Sequence, residues 1–185
     1  MKVILISAKS QHGKDTVANL MKEELEHKGE KVLTIHFGDP VKWFAREFYN
    51  WDGNKDIKGR GLLQYIGTTL MRQYDEYYWG NMISSFIAAS GAKKNFTYAI
   101  IPDWRFYSEE TAIRNENENV YTIRIERLNP DGTSYRNPAM TDEQFNHISE
   151  IELDDATFDW IITNSSSIND LREKVKTILH YIDSH

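Results

Sequence analysis

Near the start of the chain, a glycine-lysine turn has the residue types that bind phosphate. Residues 4–16 read ILISAKSQHGKDT, so four apolar residues at 3–6 run into small and polar ones, and an amphipathic segment (17–25) follows at once. A buried strand, a tight loop and a helix start in this order direct backbone N–H groups toward an anion. The pattern predicts a nucleotide phosphate site in residues 8–16, which we call the phosphate loop, with Lys14 reaching the β- and γ-phosphates.

The match to the usual glycine-rich motif has two departures. Ala8 stands at the first glycine position, and Asp15 stands where a metal-binding hydroxyl is usual. Asp15 can ligate Mg²⁺ directly or through water, and Thr16 is then left for the α-phosphate. The nucleotide contacts are therefore assigned to the whole loop: Ala8, Lys9, Ser10, Gln11, His12, Gly13, Lys14, Asp15 and Thr16. The alternative is an ordinary strand–turn–helix with a solvated Lys14.

A carboxylate and a guanidinium follow the third predicted strand. Asp103 is placed to bind Mg²⁺ or its waters, and Arg105 to bind a phosphate through two parallel hydrogen bonds. In the alternative reading, Asp103 caps the next helix and Arg105 pairs with Glu109. No pair of histidines has metal-ligand spacing with a third ligand, so no zinc site is expected.

Cations in the segment after the second strand predict a second anion site. They are Lys42, Lys58, Arg60 and Arg72. Arg72 is the strongest candidate, because a polar stripe at helical spacing leads to it, formed by Gln64, Gly67, Thr68 and Arg72 itself. The alternative is a helix surface with solvated charges.

Residues 128–142 contain two prolines and many turn residues, and three arginines flank or lie in them: Arg124, Arg127 and Arg136. A lid over transferring phosphates needs such cations, because they neutralise charge on the phosphoryl group and help to exclude water. Pairing of these arginines with Glu126 or Glu143 on the surface is the alternative.

Apolar runs alternate with helical patterns along the chain. Strands are predicted at 3–6, 32–37, 97–101, 120–125 and 160–163, and helices at 14–28, from 40 onward, in two pieces over 62–87, and at 168–182, with a polar loop at 50–61. This order predicts a three-layer α/β sandwich around a five-stranded parallel sheet, whose ligands bind at the carboxyl ends of the strands.

Composition narrows the class of protein. The 185 residues suit one domain, and the net charge of -6 argues against a nucleic-acid scaffold. The chain has no cysteine, no apolar run of membrane-spanning length and no signal-peptide pattern at its start, so a cytoplasmic location is expected.

The chain resembles the P-loop deoxynucleoside monophosphate kinases, including those of bacteriophages. The resemblance rests on an ordered set of stretches, together with Trp79: AKSQHGKDT at 8–16, FGDPVK at 37–42, LLQYIGTTLMR at 62–72, PDWRFYSE at 102–109, IRIER at 123–127, HISE at 147–150 and IITNSSS at 161–167. It implies a nucleoside monophosphate kinase fold with an acceptor-binding insertion at about 38–92 and a lid at about 127–146.

The resemblance also implies roles for individual residues. ATP and Mg²⁺ bind at Gly13, Lys14, Asp15 and Thr16, with Arg127 in the lid and Asn164 near the adenine. The acceptor phosphate binds at Arg72 and Arg105, with Lys42 a weaker candidate, while Asp103 orients metal or acceptor. Gln64, Gly67, Thr68 and Trp79 line the acceptor site. Ser165 and Ser166 stand where a glycine is expected after Asn164.

Three alternatives remain open at this stage. The acceptor is another small phosphorylated molecule of the dephospho-coenzyme A kind, or the chain is a nucleotide-binding regulator without transfer activity. A kinase for nucleic-acid ends is disfavoured by the acidic charge balance. The sequence does not specify the base of the acceptor, and a homodimer is compatible with it.

Overall fold

A single parallel sheet carries the fold in the computed structural model, which describes residues 1–184. Its strands lie in the order β2-β3-β1-β4-β5. They are β1 (Lys2–Ala8), β2 (Val32–Thr34), β3 (Tyr98–Ile101), β4 (Val120–Arg127) and β5 (Trp160–Asn164). All four neighbouring pairs are parallel, which confirms the predicted sheet.

Helices cover the sheet and form the segment after β2. They are α1 (Lys14–His27), α2 (Gly38–Tyr49), α3 (Ile57–Gln64), α4 (Tyr78–Lys94), α5 (Tyr107–Glu116), α6 (Asp142–Phe145), α7 (Ile148–Ile151) and α8 (Ile168–Ser184), with a π-helical segment, Tyr65–Leu70, directly after α3. None of the helices in residues 1–184 combines the length and the apolar character that a membrane crossing needs.

The central strand is buried on both faces, which explains its unbroken apolar run. Ile4 and Ile6 pack toward α1 and α8, whereas Val3 and Leu5 pack on the opposite side with Ile83 and Ile87 of α4. Successive side chains of a strand point to opposite faces, so β1 contributes to both hydrophobic layers. This arrangement confirms the three-layer sandwich.

The segment after β2 has a hydrophobic cluster of its own. Val41 and Ala45 of α2 pack with Trp51, with Ile66 of the π-helical segment and with Trp79 of α4. The predicted insertion at about 38–92 is therefore organised around aromatic and aliphatic side chains that lie beside the sheet. Its role in acceptor binding stays a prediction.

Several predicted boundaries differ from the structure. The second strand ends at Thr34, three residues before the predicted end, and α2 begins at Gly38, two residues before the predicted start. Part of the predicted 50–61 loop is helical, because the Asp56 side chain accepts from the Gly59 N–H and caps α3. The predicted lid region is not exposed throughout, because Asn137 and Met140 in it are buried.

Gly80 and Gly61 both lie in helices but have different surroundings. A Cβ on Gly80 would lie 2.6 Å from the Cβ of Ala112 and 3.3 Å from backbone atoms of α5, whereas a Cβ on Gly61 meets nothing within 4 Å. Gly80 thus permits the close approach of α4 to α5.

We predict opposite effects of the same substitution at these two glycines. Gly80→Ala should lower the free energy of unfolding by about 1–3 kcal/mol through overpacking. Gly61→Ala should raise it by about 0.5–1 kcal/mol, because alanine favours an open helical position. Urea unfolding of both variants checks this, and equal effects would contradict the close packing of α4 on α5.

Candidate active site

A cavity of about 340 Å³ opens beside the carboxyl ends of β1 and β3. Its wall is built from the start of α1, from the segment after β2 and from residues that follow β3. Eleven residues that the sequence predicts for the site line it: Lys14, Asp15, Lys42, Arg60, Gln64, Gly67, Thr68, Arg72, Trp79, Asp103 and Arg105. The remaining candidates lie elsewhere, around the phosphate loop or on the surface.

Gly13 is required by the backbone of the phosphate loop. Its φ is +100°, and a Cβ there would lie 2.6 Å from the Nδ2 of Asn164. That amide donates to the His12 carbonyl at 3.0 Å, so Asn164 braces the loop. Ala8 is still in β1 and pairs with Ile125, and it is not among the residues with positive φ. Alanine therefore suits the position where the motif has its first glycine.

The tip of the phosphate loop is bound to the start of the predicted lid. His12 is buried; its Nδ1 accepts from the Arg127 backbone N–H at 3.1 Å and its Nε2 lies 2.9 Å from the Tyr135 carbonyl. Nδ1 accepts, so the neutral ring carries its proton on Nε2 and donates it to Tyr135. Burial lowers the pKa of His12, which favours this neutral form.

Further contacts join the same two segments. The Tyr135 hydroxyl donates to Gln11 Oε1, the Arg127 guanidinium donates to the Gln11 carbonyl, and Asn137 Nδ2 donates to Ser10 Oγ. Gln11 has a φ of +63°, a conformation that is uncommon for residues other than glycine. These hydrogen bonds hold the loop in that conformation.

Lys14 and Asp15 face the cavity as an ion pair. Lys14 Nζ donates to Asp15 Oδ1 at 2.6 Å, and His36 Nε2 lies 3.7 Å from the same oxygen. The contact with His36 and the Lys14 ammonium hold the pKa of Asp15 well below its usual range, and Asp15 raises the pKa of His36. Asp15 is thus an ionised carboxylate whose side chain is 66% exposed.

Asp103 caps α2, whereas the alternative reading of the sequence had it cap the helix that follows it. Its two oxygens accept from the backbone N–H groups of Phe37 and Gly38, both at 2.8 Å, at the start of α2. The carboxylate therefore fixes the direction in which the segment after β2 leaves the sheet. Each oxygen keeps a lone pair, so a role for Asp103 toward metal or acceptor remains a prediction.

Arg105 pairs with Glu150 through its guanidinium. Its NH1 donates to the Glu150 carboxylate and to the Ser149 carbonyl, whereas only its backbone N–H reaches Glu109. Glu150 is buried, and its other oxygen accepts from the Ser10 N–H of the phosphate loop at 3.2 Å. Within residues 1–184, the Nε and NH2 of Arg105 make no hydrogen bond, so they are available to an anion.

Arg72 is largely occupied by protein acceptors. Its Nε donates to the Gly67 carbonyl, its NH1 to the Glu76 carbonyl and to Ser108 Oγ, and its NH2 to Glu109. The guanidinium also lies 3.9 Å from the centre of the Phe106 ring. Four of its five N–H groups are thus used, and Arg72 mainly holds α5 against the π-helical segment.

Glu109 is completely enclosed by this arrangement. Burial raises its pKa to about 7, while the Arg72 charge and two backbone N–H groups oppose the shift.

The Gly67 carbonyl joins two side chains of the cavity wall, because it accepts hydrogen bonds from both Arg72 Nε and Trp79 Nε1.

Other predicted residues have partners outside the cavity. Lys9 and Arg124 both pair with Asp154, and Arg136 pairs with Asp142 on the surface. Lys58 is exposed and does not line the cavity. Sequence reasoning missed Lys55 and Glu150, which do line it. No sequence signal distinguishes Lys55 from the other polar residues around it, and the HISE stretch at 147–150 was the only signal for Glu150.

The protein alone supplies only part of the ligands that a magnesium ion needs. Among residues 1–184, no group of three or more His, Asp or Glu side chains is arranged to hold a metal. Mg²⁺ is commonly held by one or two carboxylates, by water and by substrate phosphates. The exposed, ionised Asp15 beside Lys14 fits that kind of site.

The Arg72–Glu109 pair leads to a stability prediction. Arg72→Met should lower the free energy of unfolding by about 3–5 kcal/mol, because it leaves a buried carboxylate unpaired. The loss should be larger at pH 8 than at pH 5, since a buried carboxyl with a raised pKa is destabilising when it is ionised and takes up a proton as the pH falls. Denaturant unfolding at both pH values measures this.

The control is Arg114→Met, which removes a more exposed ion pair with Glu110 on the same helix α5 and one hydrogen bond to the Val120 carbonyl. It should cost no more than about 1 kcal/mol at either pH. Equal losses of unfolding free energy in the two variants would contradict a stabilising, buried ion pair between Arg72 and Glu109.

Comparison with known structures supports a kinase fold. A variant of the APS kinase CysC of Mycobacterium tuberculosis is 15% identical, with 97% of this chain and 96% of that chain covered and a TM-score of 0.51. A sugar kinase of Janibacter sp. HTCC2649, in an unliganded structure, is 13% identical, with 97% and 95% covered and a TM-score of 0.51. At these identities the likeness concerns the fold alone.

Sequence comparison supplies the family. No curated protein matches the chain significantly. The model of a family described as deoxynucleotide monophosphate kinase matches residues 47–175, which is well over half of the chain and contains most of the cavity wall. The phosphate loop lies before the matched range, and its identification rests on the motif and on the fold. The chain therefore belongs to the deoxynucleotide monophosphate kinase family.

Proposed function

We propose that this protein transfers the γ-phosphoryl group of ATP to a deoxynucleoside 5′-monophosphate and so forms the diphosphate. The observation that carries the proposal is the shared cavity, which joins Lys14 of the phosphate loop to Arg105 and to the polar wall of the segment after β2. Phosphoryl transfer requires donor and acceptor to be held together, and one cavity with groups from both regions provides for this.

On the donor side, the phosphate loop and Lys14 bind the triphosphate, and Asp15 with Asp103 holds Mg²⁺. When bound, Mg²⁺ supplies positive charge that neutralises the phosphate oxygens. Lys14 has to exchange its contact with Asp15 for phosphate oxygens. Arg127 lies beside Gln11 at the loop, where it can contact the nucleotide.

On the acceptor side, Gln64, Gly67, Thr68 and Trp79 line the space for the nucleoside, and Lys42 lies on the same wall. The Nε and NH2 of Arg105 face this cavity without protein acceptors in the part of the chain that the structure describes. The acceptor phosphate is an anion at neutral pH, so its oxygen can attack the γ-phosphorus in line without a strong general base. The bond to the β–γ bridging oxygen breaks, and ADP leaves.

Catalysis then depends on positioning and on neutralisation of charge. Arg105 is held by Glu150, which also contacts Ser10 of the phosphate loop. This chain of contacts fixes the distance between an acceptor-side cation and the donor-side loop. A small misplacement of either partner is costly for an in-line displacement.

Lys14→Met tests the donor side. We expect turnover to fall by about two to five orders of magnitude, because the charge beside the transferring group is lost, while the thermal unfolding temperature changes little. Lys22→Met is the matched control, since Lys22 lies on the same helix α1 and, among residues 1–184, pairs only with Glu26. Near-normal turnover in Lys14→Met would end this mechanism.

The choice of acceptor is tested directly by product formation. With ATP and Mg²⁺, ADP should appear only when a deoxynucleoside monophosphate is added, and the diphosphate should form in equal amount. Each of the four common deoxynucleoside monophosphates is assayed beside dephospho-coenzyme A and buffer alone. ADP release with dephospho-coenzyme A only, or ATP binding without release by any acceptor, would overturn the proposal.

A further inference from the structure

Six lysine and arginine side chains line the cavity, but two of them lack an acidic partner. Lys14 pairs with Asp15, Lys42 with Asp39, Arg72 with Glu109 and Arg105 with Glu150. The remaining two are Lys55 and Arg60. Within residues 1–184, neither side chain makes a hydrogen bond or an ion pair, and the Nε of Arg60 is a buried donor without an acceptor.

These two cations converge with others on one part of the cavity. Lys55 is exposed, yet partial desolvation lowers its pKa, and the charges of Lys42, Lys14 and Arg60 lower it further, whereas Asp15 opposes the shift. Lys14, Lys42, Lys55 and Arg60 all line this one cavity, so their positive charges repel one another. Concentrated positive charge and an unsatisfied buried donor are unfavourable unless an anion is bound there.

The backbone that carries Lys55 and Arg60 is tightly fixed. The Asp56 carboxylate caps α3 through the Gly59 N–H at 2.7 Å, and Trp51 Nε1 donates to the Asn54 carbonyl at 2.8 Å. A Cβ on Gly59 would lie 1.9 Å from that carbonyl oxygen, so the loop that precedes α3 is pressed against the helix. The two cations are therefore presented by a packed scaffold.

We propose that Lys55 and Arg60 bind the phosphate of the acceptor, and that Arg72 is a positioning residue that holds the wall behind it. This assignment rests on the proposed function and replaces Arg72 as the main acceptor-phosphate ligand. Arg72 has four of its five N–H groups committed to protein acceptors, whereas the guanidinium of Arg60 has none committed. Two unpaired positive charges also match the dianion of a phosphate monoester.

Equilibrium binding tests the assignment without relying on turnover. The probes are each deoxynucleoside monophosphate and the corresponding deoxynucleoside, titrated into the protein by calorimetry. In Lys55→Gln and in Arg60→Gln, the dissociation constant of the monophosphate should rise about tenfold or more, since a charge-assisted hydrogen bond is lost. The constant for the deoxynucleoside, and that for ATP, should stay within about twofold.

Lys58→Gln is the matched control, because Lys58 lies on α3 with Arg60 and is exposed, as Lys55 is, but does not line the cavity. It should bind every probe as the unsubstituted protein does. Circular dichroism confirms that each variant is folded, and the two substitutions are measured separately so that one misfolded variant does not decide the outcome.

Each outcome distinguishes this assignment from the proposed function. Weakened monophosphate binding together with absent ADP formation in the unsubstituted protein supports the site and overturns the transfer reaction. Normal ADP formation with unchanged monophosphate binding in both variants overturns the site and leaves the reaction standing. A loss of ATP binding with unchanged monophosphate binding, or no monophosphate binding at all, also overturns the site.

Discussion

Parallel pairing of β1 with β3 places the residues that follow these two strands at one edge of the sheet. Leu5 pairs with Ile101, so the phosphate loop and Asp103 emerge side by side. Asp103 then accepts from the N–H groups of Phe37 and Gly38, which directs α2 and the segment after it over the same edge. The cavity exists because strand register and one carboxylate bring three separate parts of the chain together.

Charge pairing shapes the wall of this cavity. Arg72 and Glu109 are tied to each other in the interior, and Arg105 is tied to Glu150, which also contacts the phosphate loop. Cations that are paired in this way fix the positions of helices and loops. Lys55 and Arg60, which lack such partners among residues 1–184, keep their charge available to a ligand. Structural and binding roles are thus divided among side chains of the same chemical type.

Sequence patterns predicted the sheet and the phosphate loop, since both depend on local periodicity and on the order of strand, glycine turn and helix. Boundaries were missed where a distant residue decides them, as with α2, whose first N–H group bonds to Asp103. Eleven of the candidate residues share one cavity, and their roles in it stay predictions. Which arginine is free to bind could not be predicted, because the partners of Arg72 and Arg105 come from segments far away in the chain.

The proposed reaction requires one cavity to hold two phosphate-bearing ligands at once, the triphosphate at the phosphate loop and the monophosphate at the wall formed by the segment after β2. The most direct measurement is the affinity of a bisubstrate ligand, in which adenosine and a deoxynucleoside are joined by five phosphates. We predict that this bisubstrate ligand binds at least about a hundredfold more tightly than ATP or the deoxynucleoside monophosphate alone, because the second contact becomes intramolecular. An affinity no higher than that of ATP would contradict a shared cavity for donor and acceptor.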